Sequence, residues 1–314
     1  MTTSQLIDQY LAQRDLMATT LHIYKYVLRW WFRYLVNNGI KPAEVKKADI
    51  IGYKRHLFSR GLRSATVDLY INGIKGFYRW MAETDEQYRN ITTGIRNEKR
   101  IRQFRRDPLT IDQVRQLIGS IPTEGLINIR DRAIVCLLYF NALRVVEAIR
   151  LDIGDIDLAN MRIAILGKGR KEKQWVQIND ITANAIEDYI QAKHNAGEEW
   201  DDNDPLFIAY WNRNRNEVRR LRRQSVSMIM SERLRVTGIK TDRISAHSLR
   251  HSAAVHMIES GKDLYAVTLF LRHTNANTSR LYTHFTEEKK LIDSGPTRLL
   301  QDKFRQPLTT AAPD

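Results

Sequence analysis

The chain has 314 residues, enough for two domains of ordinary size. Its 50 Lys and Arg against 36 Asp and Glu give a formal charge of 50 − 36 = +14, which favours a polyanionic partner, nucleic acid before an anionic membrane surface. The longest wholly apolar stretch, Ala133 to Phe140, is far short of the roughly 20 residues of a membrane span. The N-terminus carries no signal peptide, no lipidation motif stands out, and the single cysteine, Cys136, excludes an internal disulfide, so a reducing cytoplasm and no membrane are expected.

Residues 1 to about 88 read as four helices. Ser4 to Arg14 is short. Thr19 opens a longer one with Ile23, Val27, Trp30, Trp31, Tyr34 and Leu35 at helical spacing, ended by Asn38-Gly39. Ala48 to Arg60 is the third. The fourth starts at Ser64 or Thr66, with Tyr70, Ile74, Phe77 and Met81 on one stripe, read as core. Gly73 and Gly76 weaken it by about 1 kcal/mol each relative to Ala, which close approach of another backbone, or of DNA, would explain.

Ile91 to Thr110 lacks periodicity and carries Arg96, Lys99, Arg100, Arg102, Arg105 and Arg106; it reads as a linker crossing a phosphate backbone. Thr110 then caps a helix to Ile118, and Ile129 to Phe140 is a buried one. Met161 to Leu166 and Gln174 to Ile178 read as two strands around the turn Gly167-Lys168-Gly169-Arg170-Lys171. Helices follow at Thr182–His194, Ser225–Arg235, Ala246–Ser260, Leu264–Leu271 and Thr278–Phe285. Residues 198–204, with five acidic side chains, read as a solvated loop, and Asn212 to Arg223 holds six arginines.

The chemistry sits in an ordered set: Arg144, Lys168, His247, Arg250 and His273, then Tyr282. Cleaving a phosphodiester with a side-chain nucleophile puts negative charge on the nonbridging oxygens. Guanidinium forks meet that charge best, and two of them with supporting histidines can do electrostatically what a metal does elsewhere. A phenol of pKa about 10 is ionised only to about one part in a thousand at pH 7, so it needs a proton acceptor or a cationic pocket. The departing 5′ oxygen needs a general acid, such as a lysine. Taken singly, each residue has a structural reading: Arg144 paired with Glu147, His247 or His273 as a helix cap, Lys168 exposed, Tyr282 in a core. The order of the set points instead to an enzyme that cleaves and rejoins DNA through a tyrosine.

These motifs resemble the tyrosine recombinase (phage integrase-like) family, in its short two-domain form. Asn-Ala-Leu-Arg-Val-Val-Glu-Ala-Ile-Arg-Leu is similar to the segment of its first catalytic arginine. Gly-Lys-Gly-Arg-Lys-Glu-Lys is similar to its hairpin lysine. Ala-His-Ser-Leu-Arg-His-Ser-Ala-Ala resembles its His-x-x-Arg box, and Leu-Arg-His with Leu-Tyr-Thr-His-Phe its histidine and nucleophile boxes. The likeness spans most of residues 108–286. The fold it implies is mainly α with a small antiparallel β-sheet: a helical, SAM-like core-binding domain over 1–90, a basic linker over 91–107, an α+β catalytic domain over 108–286, and a tail over 287–314 that docks in trans.

The resemblance implies that Tyr282 attacks to form a 3′-phosphotyrosyl bond. Arg144 and Arg250 clamp the phosphate, Lys168 protonates the leaving 5′ oxygen, His273 hydrogen-bonds the phosphate and His247 assists proton transfer. Glu147 orients its neighbours. Lys171 is second choice for the hairpin role, and His251 and His284 are read as structural. Two positions depart from the family's pattern: Ala142 and Arg272 stand where it usually has Gly, and Arg272 is a further candidate for contact with DNA.

The family's clamp around double-stranded DNA is expected to use the basic linker, together with Arg222, Arg223 and Gln224 at the start of the Ser225–Arg235 helix. No cofactor and no metal are expected, because the phosphotyrosyl bond conserves the energy of the broken diester. The expected activity is site-specific recombination through a Holliday junction in a homotetramer, in the nucleoid. Relaxation of supercoils in the manner of a type IB topoisomerase, or a catalytically silent DNA-binding protein, are the alternatives. The early start of the first helix leads us to expect no additional arm-site-reading domain.

Overall fold

The computed structural model describes residues 2–85, 88–98, 106–167, 170, 172–210, 219–273 and 279–293. The chain divides into two compact units, Met1–Ile101 and Arg102–Asp314.

The first unit is built from α1 (Thr3–Ala12), α2 (Ala18–Asn37), α3 (Lys47–Ser59) and α4 (Ser64–Thr84). Their apolar stripes meet in one core containing Tyr10, Val27, Trp31, Leu35, Ile50, Tyr53, Ile71, Ile74 and Phe77. The aromatic stripe is therefore interior: the Tyr10 and Phe77 rings meet edge to face at 5.5 Å, and Trp31 Nε1 donates to Tyr78 Oη at 3.3 Å. The two helix glycines answer to side chains of this unit. A β-carbon at Gly73 would stand 2.8 Å from Val27 Cγ1, and one at Gly76 would stand 2.6 Å from Tyr10 Oη. Each glycine thus lets α4 lie against a side chain of α1 or α2. After α4, Ile95 is buried in the same core, and Lys54 pairs with Glu98 at 2.7 Å.

The second unit contains α5 (Ile111–Gly119), α6 (Leu126–Phe140), α7 (Val145–Ile149), β1 (Ile156–Asp157), β2 (Arg162–Leu166) and β3 (Lys173–Gln177). It continues with α8 (Asp180–Asn195), α9 (Arg223–Val236), α10 (Ala246–Glu259), α11 (Leu264–Phe270) and α12 (Arg280–Asp293). The strands form an antiparallel sheet in the order β1-β2-β3. Helix α6 is the central element. Ala133 to Leu138 are all buried, and each large apolar side chain in that run contributes about 1.5–3 kcal/mol. Thr110 caps α5, accepting from the Gln113 amide, as the sequence suggests. The short α7 went unforeseen, because five residues are too few to show a period. Strand β2 begins at Arg162, one residue later than expected, because Met161 turns the chain at φ 52.

The acidic segment 198–204 is not wholly solvated. Glu198 is buried and pairs with Lys193 at 3.2 Å, while the carbonyls of Asp202 and Asp204 accept from the amides of Gly154 and Ile153. Within the arginine-rich run, residues 211–218 lie outside the described residues. Arg220 serves the fold, donating to the Ile149 and Leu151 carbonyls and to Asp152 at 2.5 Å. Among the described residues no helix is long and apolar enough to cross a membrane.

Candidate active site

The site is assembled from chain segments that lie far apart in sequence. Arg144 precedes α7, His247, Arg250 and His251 lie on α10, Arg272 and His273 follow α11, and Tyr282 is in the first turn of α12. Helix α10 is held by α6 behind it and by α12 in front. A small core of Ala142, Ala253, Ala254, Val255, Val267, Leu271 and Tyr282 joins the contributing segments.

Glu147 is the anchor. It is 2 % exposed, and its carboxylate accepts from the Arg144 amide at 2.8 Å and from Arg144 Nη1 at 2.6 Å. Arg272 Nη2 donates to it at 3.3 Å, and Arg250 Nη1 is 3.9 Å away. Three guanidinium groups thus converge on one carboxylate. Burial alone would raise the Glu147 pKa, but the Arg144 amide and the charges of Arg272 and Arg144 outweigh it and hold the carboxyl below its ordinary value.

Arg250 is 1 % exposed, and its two terminal nitrogens donate to the carbonyls of Ala142 and Leu271. Burial, with Arg144 and Arg272 close by, pulls its pKa down to about 9. The two carbonyls flank sharp corners. Ala142 has φ 45 and Arg272 has φ 52, a left-handed region that favours glycine. These are the two positions at which the chain departs from the family's glycines. The Arg272 guanidinium turns inward, with side-chain exposure of 9 %, and donates to the carbonyls of Asn141, Phe270 and Ala142 as well as to Glu147. Its guanidinium is thus engaged within the protein, in the cluster around Glu147.

The phenol of Tyr282 is 2 % exposed, and its hydroxyl lies 2.7 Å from His251 Nδ1. Burial pushes the phenol up to about 12, although Arg250 and Arg144 act in the opposite direction. The His273 ring lies parallel to the phenol at 6.5 Å between centroids, and its Nδ1 is 2.9 Å from Ser279 Oγ. Burial, Arg250 and Arg144 bring His273 down to about 4. His247 packs edge-on against His251 at 4.4 Å. Desolvation, Arg250 and Arg144 also hold His247 below its usual value, although much of the residue faces solvent.

Arg144, Glu147, His247, Arg250, His273 and Tyr282 thus come together in one chain. Lys168, Lys171, Lys99, Arg100, Arg102 and Arg105 lie outside the described residues, as does the tail from 294. Lys173 of the same hairpin is occupied by Asp152 at 3.0 Å and Asp155 at 2.6 Å. Arg96, Arg222, Arg223 and Gln224 are exposed, the last three at the N-terminus of α9. His251, a structural residue by its sequence reading, meets the tyrosine hydroxyl. Its i+4 spacing from His247 on α10 was the available signal. Among the described residues no group of three or more His, Cys, Asp or Glu is placed to hold a metal.

Residues 108–289 match the model of the phage integrase family. Over 88% of this chain and 91% of the relative, the sequence is 30% identical to tyrosine recombinase XerD of Oceanobacillus iheyensis. It is 28% identical to tyrosine recombinase XerC of Herpetosiphon aurantiacus over 91% of this chain and 92% of that one. The fold is similar to the crystal structure of XerH site-specific recombinase bound to palindromic difH substrate in a post-cleavage complex, with a TM-score of 0.75, 20% identity, and coverage of 93% and 84%. The chain belongs to the phage integrase family and is a tyrosine recombinase.

Proposed function

We propose that this enzyme recombines specific DNA sites, with Tyr282 attacking the scissile phosphate to give a 3′-phosphotyrosyl bond and a free 5′ hydroxyl. The observation that carries the reading is the convergence of Arg144, Arg250, His247 and His273 around a tyrosine of the same chain, whose hydroxyl lies within the field of both arginines. Preorganised donors of this kind stabilise the charge that builds on a five-coordinate phosphorus. Arg144 and Arg250 grip the nonbridging oxygens, His273 hydrogen-bonds the same group, and His247 assists proton transfer. Lys168 delivers a proton to the leaving 5′ oxygen. Glu147 keeps the guanidinium groups in register.

The exposed Arg222, Arg223 and Gln224 meet the duplex at the N-terminus of α9, where the helix dipole adds to their charge. The first unit serves as a second DNA-binding module, and the segment around Arg96 passes along the backbone. Four copies act together in the nucleoid through a Holliday junction, each docking its tail on a neighbour.

The test uses two differently marked duplexes that carry the sequence the protein selects from a random pool. Exchange of flanking DNA, with a four-way junction trapped on the way, is the expected result. Relaxation of a supercoiled plasmid without exchange would overturn the recombination reading and leave the tyrosine chemistry in place.

A further inference from the structure

The best-placed partner of the Tyr282 hydroxyl is a residue read from the sequence as structural. His251 projects from α10 towards α12, and its Nδ1 lies 2.7 Å from the Tyr282 hydroxyl. The two rings are 5.5 Å apart at 48°, so the contact runs through the imidazole edge and not its face. Among the described residues, His247, Arg250 and His273 are charged or titratable groups that act on the His251 ring, from its own helix and from the segment after α11. Burial first, then His247, Arg250 and His273, depress the His251 pKa to about 3, so the imidazole is neutral and carries a lone pair. The phenol, pushed up to about 12, is protonated. In the tautomer that carries its proton on Nε2, the neutral imidazole is an acceptor at Nδ1 facing the phenol as donor.

Resting on the reading of Tyr282 as nucleophile, we propose that His251 Nδ1 takes the hydroxyl proton of Tyr282 as the phenol oxygen attacks phosphorus. In that step the Oη–P bond forms, the P–O5′ bond breaks, and O5′ takes its proton from the general acid, Lys168. The imidazolium left at His251 returns its proton to Oη on rejoining. The phosphodiester itself switches the acceptor on. Its negative charge, held by Arg144 and Arg250, offsets the part of the His251 depression that comes from Arg250, beside the larger part that comes from burial, and so makes the imidazole a stronger base. The phenol is thus activated when DNA fills the pocket and stays protonated when it does not.

The test is single-turnover cleavage of a nicked duplex carrying the selected site, by the full-length enzyme and by His251→Asn, whose side chain cannot hold a proton. Binding of the same duplex by each protein is measured alongside. Loss of the acceptor lowers cleavage by about 10²- to 10⁴-fold near neutral pH. It leaves ionisation of the phenol as the remaining route, so the variant's rate climbs about tenfold per pH unit on the alkaline side while that of the parent does not. A variant that cleaves like the parent, or one that is slower by the same factor at every pH, overturns the proposal. A measurement on the unaltered enzyme guards against a variant that fails to fold. With a 5′-bridging phosphorothiolate, whose sulfur leaves unprotonated, cleavage should still slow in heavy water, because the tyrosine proton is in flight. Equal rates in the two solvents overturn the assignment. Should the parent form no covalent adduct with either substrate, the nucleophile reading itself fails, a result distinct from these.

Discussion

Arg272 Nη2 reaches Glu147 Oε2 at 3.3 Å, and through that contact a residue standing at a left-handed corner joins the arginine cluster around that carboxylate. The same guanidinium holds the carbonyls of Asn141, Phe270 and Ala142. Glycine would suit φ 52 better by about 1–2 kcal/mol. Four hydrogen bonds, at roughly 0.5–1.5 kcal/mol each, exceed that gain. Arg272→Gly should therefore destabilise the protein by about 1–3 kcal/mol, read as a lower urea midpoint. Ala142 stands at φ 45 with no such side chain, and its methyl is fully buried. Relief of strain there nearly cancels a methyl worth about 0.8 kcal/mol, so Ala142→Gly should be close to neutral in the same assay.

Glu147→Gln should cost much more. It removes the charge that faces Arg144, Arg250 and Arg272 and leaves the buried Arg250 and Arg272 without it, a change that costs about 3–5 kcal/mol. The pH dependence has a definite sign. The folded-state pKa of Glu147 lies below the ordinary 4.5, so its contribution is complete above that value and is lost as the pH falls through the lower one. Urea titrations at descending pH should show acid destabilisation in the parent that is smaller in the variant.

The pocket histidines titrate in the adjoining window. His251 and His273 have folded values of about 3 and about 4 against an ordinary 6.5, because burial and the neighbouring cations oppose protonation. The unfolded chain therefore binds protons that the folded chain refuses, and stability falls as the pH drops from about 6.5 towards those folded values. Thermal midpoints measured across this window should fall, and the fall should be shallower in His273→Gln. A phosphodiester in the pocket should reduce it further.

How much of this was legible in the chain depends on the kind of interaction. The longer helices of both units announce themselves through apolar spacing, and five residues of the ordered run from Arg144 to Tyr282 meet in space, while its sixth, Lys168, lies outside the described residues. What stayed hidden were the links made by three-dimensional closure. Arg272 looked like a surface cation, since no local pattern shows that a left-handed corner swings it onto Glu147. His251 looked structural, since its partner lies thirty-one positions away on α12. The glycines of α4 were visible as weak points, but their cause, Val27 and Tyr10 on neighbouring helices, was not. The buried Glu198 was masked by the acidic run around it, because its partner Lys193 precedes that run on α8.

Binding of DNA should be strongly salt-dependent. Each lysine or arginine that neutralises a phosphate contributes about one unit to the slope of log affinity against log salt. Arg222→Ala and Arg223→Ala, both at exposed positions at the start of α9, should each reduce that slope by about one unit. Fluorescence anisotropy over a salt series checks this. Arg220→Ala, by contrast, should weaken the fold, because that guanidinium holds the Ile149 and Leu151 carbonyls.

The proposed covalent step at Tyr282 is measured most directly by trapping on a suicide duplex nicked beside the cleavage position. A protein–DNA adduct is expected, with the 3′ phosphate mapped by peptide sequencing to Tyr282 and the adduct absent in Tyr282→Phe, which still binds the duplex. An adduct that persists in that variant, or one mapped to a different side chain, would contradict that step.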